Sequence, residues 1–303
     1  MNAQETRTPQ GAPMPAVSVV VPCYNGGPFL DGLLATLAEQ TFRDFEIVIV
    51  DDGSTDERTF KALAALDPAI VVIRQRNLGP AAARNTGIRA RAPLVLMLDC
   101  DDALTPDFLE RTVPALRAAP AEIGYAFTDM RLSGLNDQFL RQHFNPFDQL
   151  FVNRIPCCLL LRRSAWEASG GYDEAMLEGF EDWEFTIALA RAGYCGLKVT
   201  GPLFIYRVND EGRMMSRSAR LHGKLWGYIR NKHDALYRPP ALLRLWRQSR
   251  ALGGEVALSR AVVMLGMGTL LPTGWLDGAI YRIRLYRHRA RIARRANSPV
   301  PGM

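Results

Sequence analysis

Between residues 17 and 98 the chain repeats one unit, a short apolar run rich in β-branched residues followed by a stretch with helical spacing. The runs are "VSVVVP" (17–22), "EIVIVD" (46–51), "IVVIR" (70–74) and "LVLML" (94–98), and the spacing predicts helices over roughly 29–40, 58–66 and 81–90. Strands this apolar have no polar face to offer water. They need cover on both sides, which predicts an α/β fold with a mostly parallel sheet and helices on both faces. Right-handed crossovers bring the carboxyl ends of such strands to one edge of the sheet, where ligands bind.

Three of the four runs end in polar clusters that would lie on that edge: "PCYNGG" (22–27), "DDGSTD" (51–56) and "DCDD" (99–102). Asp56 reads as a helix N-cap, and "NGG" as a turn. Asp51 and Asp52 precede the cap and remain candidates for a ligand. Asp99, Asp101 and Asp102 crowd like charges together, which favours protonation unless a cation sits among them. Thr105 followed by Pro106 predicts the next helix start, with Thr as cap and Pro at the first helical position. The acids then fall in a loop of their own, with a metal or a polar ligand to explain them.

Several chemistries are excluded. No G-x-G-x-x-G follows the first strand, and neither G-x-x-x-x-G-K-[ST] nor H-E-x-x-H occurs. The five cysteines form no C-x-x-C pair and the four histidines no ligand spacing, so a disulfide framework or zinc site is not expected. Residues 1–15 are polar and Pro-rich without an apolar stretch, which reads as a disordered leader in a cytoplasmic protein.

Past residue 105 the order becomes mixed. A helix is expected over roughly 106–118, strands over 123–130 and 155–163, a short helix within 164–174, and a helix from near Asp182 to Gly193. Glu181, Asp182 and Glu184 fall in the first turn of that last helix, where acids alone would simply match its dipole.

Taken in order, "VSVVVPCYNGGPFL…EIVIVDDGSTD", "NLGPAAARNTGIRAR", "VLMLDCDD", "GGYDE" with "EDWEF", and "YRVNDEGRMMS" resemble the family 2 inverting glycosyltransferases, which have the GT-A fold. The likeness runs from Val17 to about Ser218, giving an expected division into the leader, a GT-A domain over 16–218 and a helical, basic extension over 219–303. It implies that Asp99 and Asp101 hold a divalent metal, Mn²⁺ or Mg²⁺, against the donor's diphosphate, with Cys100 turned into packing. It implies a base-and-ribose pocket from Pro22, Tyr24, Asn25 and Asp52, with Asp52 facing the nucleobase imide. Arg84 matches the "ARN" segment, as a donor contact or as helix packing, and Arg207 the late "YR" pair near the donor phosphates. Asp182 matches the catalytic base. The implied reaction is a single transfer, with inversion, from a nucleotide-diphosphate sugar (a UDP-sugar) to a hydroxyl of a glycan or lipid-linked glycan. Q-x-x-R-W, the mark of the processive synthases, is absent. The alternative is a non-catalytic scaffold that binds a sugar nucleotide.

The extension carries the positive charge. After Asp277 there is no acid, while seven arginines follow between Arg282 and Arg295; without them the net charge of +6 would nearly vanish. Ala261 to Leu276 is uncharged, but at 16 residues it falls short of the roughly 20 that span a bilayer. Leu276, Ile280, Ile283, Tyr286, Ala290 and Ala293 recur at helical spacing among the arginines. A basic amphipathic helix over 277–295 suits the inner, anionic membrane surface, the alternative being a helix packed on the domain. Nothing in the pattern suits nucleic acid.

Overall fold

The computed structural model describes residues 4–6, 14–89, 92–134, 138–208, 220–251 and 255–270. Its strands are β1 (Gln4–Thr6), β2 (Val17–Cys23), β3 (Phe45–Asp52), β4 (Val71–Gln75), β5 (Leu94–Met97), β6 (Ala103–Leu104), β7 (Ile123–Gly134), β8 (Gln138–Leu140), β9 (Leu160–Arg162) and β10 (Cys195–Val208). Its α-helices are α1 (Gly27–Ala38), α2 (Glu57–Ala64), α3 (Pro80–Ile88), α4 (Phe108–Ala118), α5 (Arg163–Ser169), α6 (Glu181–Arg191), α7 (His222–Lys232), α8 (Asp234–Tyr237), α9 (Pro239–Ala251) and α10 (Leu258–Leu270).

All ten strands share one sheet, in the order β1-β4-β3-β2-β5-β9-β7-β10-β6 with β8 on β7. The neighbours β4, β3, β2 and β5 run parallel, as the repeating unit predicted. Beyond β5 the order is mixed: β9 is antiparallel to both β5 and β7, while β7 and β10 are parallel. This is an α/β, Rossmann-like sheet of the GT-A type.

The central strands β2 and β5 are buried because both faces of the sheet are covered there. Val17, Val19, Val21, Leu94 and Leu96 pack with α1, α2 and α4. Val20, Val48, Val50, Val95 and Met97 point the other way, onto α3, α5 and α6. Each such side chain stabilises the fold by about 1.5–3 kcal/mol relative to exposure. Gly87 sets how closely α3 lies on β2. A Cβ there would come 2.2 Å from Val20 Cγ1, so Gly87→Ala would push α3 off the sheet.

A third cluster joins α7 to α10 with the turn at 147–151 and with Trp183 and Ile187 of α6. Helix α6 therefore lies between two layers. Phe185 and Leu189 face the sheet, while Trp183 and Ile187 face the C-terminal helices. Trp183 Nε1 donates to Gln149 O (2.6 Å), and Trp226 Nε1 and Tyr237 Oη donate to Leu150 O (3.0 and 2.9 Å).

Three boundaries differ from expectation. Helix α4 begins at Phe108 with Asp107 as its cap residue, not at Pro106. Thr105 is still held extended, its N–H donating to Leu203 O beside the β6–β10 pairing, so the chain cannot turn helical there. The expected strand over 155–163 shortens to Leu160–Arg162, since Pro156 has no N–H to give a ladder. Strand β7 runs on to Gly134, past the expected end at 130, whereas α5 stops at Ser169 before the Gly pair as expected, Gly170 turning left-handed (φ 88°).

Candidate active site

The ends of β2 and β3 are clipped together. Asn25 accepts from the Thr55 N–H (2.8 Å) through Oδ1, and its own N–H donates to Ser54 Oγ (3.0 Å). The glycine pair that follows serves close packing: Gly27 N–H donates to Thr59 Oγ1, and a Cβ there would lie 2.5 Å from Thr59 Cα. Asp56 caps α2 as expected, accepting from Thr59 N–H (2.9 Å) and Thr59 Oγ1 (2.6 Å). Tyr24 is exposed at the rim and Pro22 is half-buried beneath it.

Asp52 has a structural task that sequence reasoning missed. It is only 3% exposed; Oδ1 accepts from Gln75 Nε2 (2.7 Å) and Leu78 N–H (2.9 Å), and Oδ2 from Gly79 N–H (2.8 Å). It thereby shapes the loop between β4 and α3. Asp51 similarly accepts from Ser54 N–H (3.0 Å) and lies 3.6 Å from Arg74.

The four residues 99–102 form a tight turn between β5 and β6, with Asp102 N–H donating to Asp99 O (3.1 Å). Cys100 turns into packing as expected, its thiol hydrogen-bonded to that of Cys23 and close to Gly26. Asp99, Asp102 and Cys157 bring their ligand atoms within 4.8 Å of one another. Asp101, expected to share the metal with Asp99, is half-buried and outside that group, though near enough to raise the Asp102 carboxyl. Asp102 is fully buried. Its Oδ1 accepts from Arg207 N–H (3.2 Å), and its Oδ2 has no hydrogen-bond partner. Burial, then Asp99 and Asp101, push its carboxyl well above the usual range. A buried carboxylate oxygen without a donor, beside a second carboxylate, is a site that a hard divalent cation fits. The structure groups Asp99 with Asp102 and Cys157, whereas the family resemblance implied Asp99 and Asp101 as the metal pair.

Arg84 joins this turn to α6. Its guanidinium is almost wholly buried, with Nη2 2.7 Å from Asp99 Oδ1 and Nη1 2.8 Å from Glu181 Oε1. Arg84 is therefore buried in packing, as one of its two readings expected, and is bonded to the acid of the turn. Tyr172 lies under the guanidinium, 5.5 Å from its carbon, and stacks on Phe185 at 4.0 Å. Asp182 follows Glu181 in the first turn of α6, which Phe180 enters in a left-handed conformation (φ 66°). Its carboxylate accepts from Trp183 N–H (2.7 Å) and Asn153 Nδ2 (3.2 Å). Burial, then Glu181, push its pKa up to about 6, while Arg84 and the hydrogen bonds pull it down. A carboxylate poised there is mostly ionised at neutral pH yet basic enough to take a proton.

The Arg207 guanidinium lies over Gly32 of α1, within 3.0 Å of where a Cβ would stand. The rest of the "YRVNDEGRMMS" segment past Val208, like the basic stretch 277–295 and most of the leader, lies outside the described residues. Among the described residues no helix is long and apolar enough to cross a membrane.

Comparison with known proteins agrees with the fold. The uncharacterized glycosyltransferase YwdF of Bacillus subtilis is 26% identical over 225 residues, covering 70% of this chain and 81% of that protein. The validoxylamine A glucosyltransferase of Streptomyces hygroscopicus is 42% identical over 114 residues, but that match covers 36% of this chain and 27% of that enzyme. Among solved structures, the mannosyltransferase PcManGT from Pyrobaculum calidifontis, in complex with GDP-Man and Mn²⁺, superposes with a TM-score of 0.57 at 20% identity over 95% of this chain and 89% of that one. S. aureus TarS 1–349 in complex with UDP-GlcNAc gives 0.56 at 19% identity over 70% and 66%. The family model for glycosyl transferase family 2 matches residues 18–177, which takes in the clipped loops, the acid turn, Arg84 and the "GGYDE" loop, and the chain belongs to that family.

Proposed function

We propose that the protein transfers a sugar, by a single inverting step, from a nucleotide-diphosphate sugar to a hydroxyl of a glycan or lipid-linked glycan. The observation that carries this reading is the Arg84 bridge. One buried cation ties Asp99, in the acid turn, to Glu181, the neighbour of Asp182. The group that faces a departing diphosphate and the group that takes a proton are thus held in one site.

Asp182 accepts the proton of the acceptor hydroxyl as its oxygen attacks the sugar's anomeric carbon. The new C–O bond forms on the face opposite the leaving diphosphate, the old one breaks, and the configuration inverts without a covalent enzyme intermediate. Asn153 and the Trp183 N–H hold the carboxylate in place for this. Asp99 and Asp102, with Asp101 beside them, would hold a divalent cation, Mn²⁺ or Mg²⁺, which when bound supplies charge neutralisation for the diphosphate. Pro22, Tyr24 and Asn25 line the donor's nucleoside end, and a base contact by Asp52 would use the lone pair its loop donors leave on Oδ2. Arg207 stands near the phosphates. The nucleotide sugars named for TarS and PcManGT, UDP-GlcNAc and GDP-Man, support the donor class, and UDP is the base we favour. The acceptor side suits a surface glycan assembled at the inner face of the plasma membrane. Val262, Val263, Met267 and Leu270 form an exposed apolar stripe on α10, which together with the arginines of 277–295 favours peripheral attachment to an anionic bilayer.

A thermal-shift panel of UDP-, GDP- and dTDP-sugars tests the donor, since a ligand that binds the native state raises its stability. One or a few UDP-sugars are expected to stabilise the protein with Mn²⁺ and to lose that effect in EDTA. No shift with any nucleotide sugar sinks the reading.

A further inference from the structure

The first turn of α6 is held by a second cation besides Arg84. Glu184 is fully buried, and its Oε1 lies 2.8 Å from Lys232 Nζ and 2.7 Å from His233 Nε2. Lys232 Nζ is also 2.7 Å from Asp173 Oδ2, which accepts from Tyr228 Oη at 2.9 Å. Asp173 sits in the "GGYDE" loop, and Glu184 sits two residues past Asp182. A single ammonium from the end of α7 therefore closes the ends of the segment 173–184 that delivers Asp182 to the site.

Physical reasoning gives this arrangement a purpose beyond packing. Residues 181 and 184 are three apart and so lie close together on one face of α6, and each is fixed by its own cation, Arg84 at Glu181 and Lys232 at Glu184. Rotation of the turn about its axis would strain both pairs. Asp182 belongs to the same turn, so the direction in which it leaves the helix is set by both. The entry to this turn is the left-handed Phe180, a conformation that a non-glycine residue holds only when its surroundings enforce it. The remaining atoms are not fully satisfied: Glu184 Oε2 and His233 Nδ1 are buried without hydrogen-bond partners. Apolar residues could fill this space with less cost, which argues that the charges are present for geometry.

We propose that Lys232 is a positioning residue for the transfer step, acting through Glu184 and Asp173 to fix the orientation of Asp182, so that the C-terminal helices are part of the catalytic apparatus. This rests on the reading of Asp182 as the base. It makes the extension a determinant of turnover, independent of any membrane role.

The test uses the full chain and a nucleotide sugar that the thermal-shift panel identifies, with turnover read as nucleoside diphosphate released while the sugar passes to water or acceptor. Lys232→Met keeps the aliphatic stem and removes the ammonium. Its kcat is expected to fall about 10²-fold, the scale of an ångström-sized misplacement, with donor KM and Mn²⁺-dependent UDP affinity unchanged. Lys232→Arg, which keeps the charge, should restore much of the loss. Because Lys232→Met leaves buried Glu184 without its ammonium partner at a cost in stability, the double variant Lys232→Met/Glu184→Gln removes both charges together. It should recover thermal stability while kcat stays low. Recovery of kcat together with stability, or a donor KM that rises with kcat unchanged, overturns the positioning role and leaves a purely structural pair. Asp182→Asn, measured alongside, separates the two failures. If it turns over at the wild-type rate, the base assignment itself falls and this proposal with it.

Discussion

Arg84 and Lys232 each bridge two carboxylates, and each holds one acid of the same helical turn, yet they are bound in different ways. The Arg84 guanidinium is planar and 4% exposed, and it offers separate nitrogens to Asp99 and Glu181. Lys232 is 31% exposed and brings Asp173 and Glu184 to one nitrogen. A planar fork fixes two partners in direction as well as distance, whereas an ammonium fixes distance alone. The Arg84 bridge also joins two pieces of chemistry, the acid turn and the base helix. The Lys232 bridge joins the base helix to the scaffold. Losing the first should therefore damage binding and turnover together, and losing the second should damage turnover alone.

The largest expected effect comes from removing the group that both bridges serve. Asp182→Asn keeps size and shape but cannot accept a proton, and general-base catalysis contributes about 10²–10⁴-fold. Turnover should fall by that much while calorimetric UDP affinity in Mn²⁺ stays put. Stability should move the opposite way. The Asp182 pKa is raised from 3.8 to about 6, so the native state binds more protons than the unfolded state between those values. Stability then declines as pH rises through that window, and above it the ionised carboxylate costs on the order of 2–3 kcal/mol. Asp182→Asn should accordingly melt higher than wild type at pH 7.5 and lose that advantage below pH 4. An asparagine variant with near-normal turnover would remove this residue from the mechanism.

Breaking the Arg84 bridge comes next. Arg84→Met strands Asp99 and Glu181 without a countercharge, and removing one partner from a buried pair destabilises by about 3–5 kcal/mol. Urea unfolding should register that loss, and metal-dependent UDP affinity should weaken as Asp99 is released. Arg84→Lys keeps the charge but cannot serve two separate directions, so its stability should fall between wild type and Arg84→Met. If Arg84→Met affects turnover but not UDP affinity, the contrast with Lys232 disappears.

The pH profile sharpens the comparison without a mutation. With Asp182 at about 6, kcat/KM should be flat near neutrality and fall about tenfold per pH unit well below 6. The Lys232→Met variant should move that limb, because a reoriented carboxylate meets Glu181 and Arg84 at different distances. A limb that stays fixed while kcat drops would mean that the Lys232 bridge acts elsewhere.

The sequence made the parallel half of this molecule readable and left both bridges hidden, for one reason. Strand, helix and turn signals are local. The runs at 17–22, 46–51, 70–74 and 94–98 announce buried strands, and Asp56 and Gly193 announce a cap and a stop within a few residues of their effect. The bridges join Arg84 to residue 181 and Asp173 to residue 232, distances along the chain at which spacing carries no information. Asp182 was singled out only because a whole set of ordered motifs resembled a family, since a first-turn acid by itself matches a dipole. Asp102 was in plain view in "DCDD", but which of the acids faces Asp99 depends on how tightly the turn closes. Asp52 could be placed at the sheet edge, whereas the three donors that occupy it come from residues 75, 78 and 79 and appear only once the loop is folded.

The smallest effect supplies the control that the comparison needs. Asp56 sits at the sheet edge but belongs to neither bridge; it caps α2 through Thr59, whose hydroxyl also accepts from the Gly27 N–H. Those hydrogen bonds hold its carboxyl below the usual range, so its contribution is present above pH 4 and is lost as pH falls through the lowered value. Asp56→Ala should lower stability modestly, as other N-cap deletions do. Because Thr59 keeps its bond to Gly27 and Asn25 keeps its clip to Thr55, the donor loops retain their shape, and kcat should change by less than twofold. Lys232→Met, if it acts through position, must lose far more turnover than Asp56→Ala for the same loss of stability. Equal turnover in the two variants at matched stability would mean that the Lys232 bridge is only another cap.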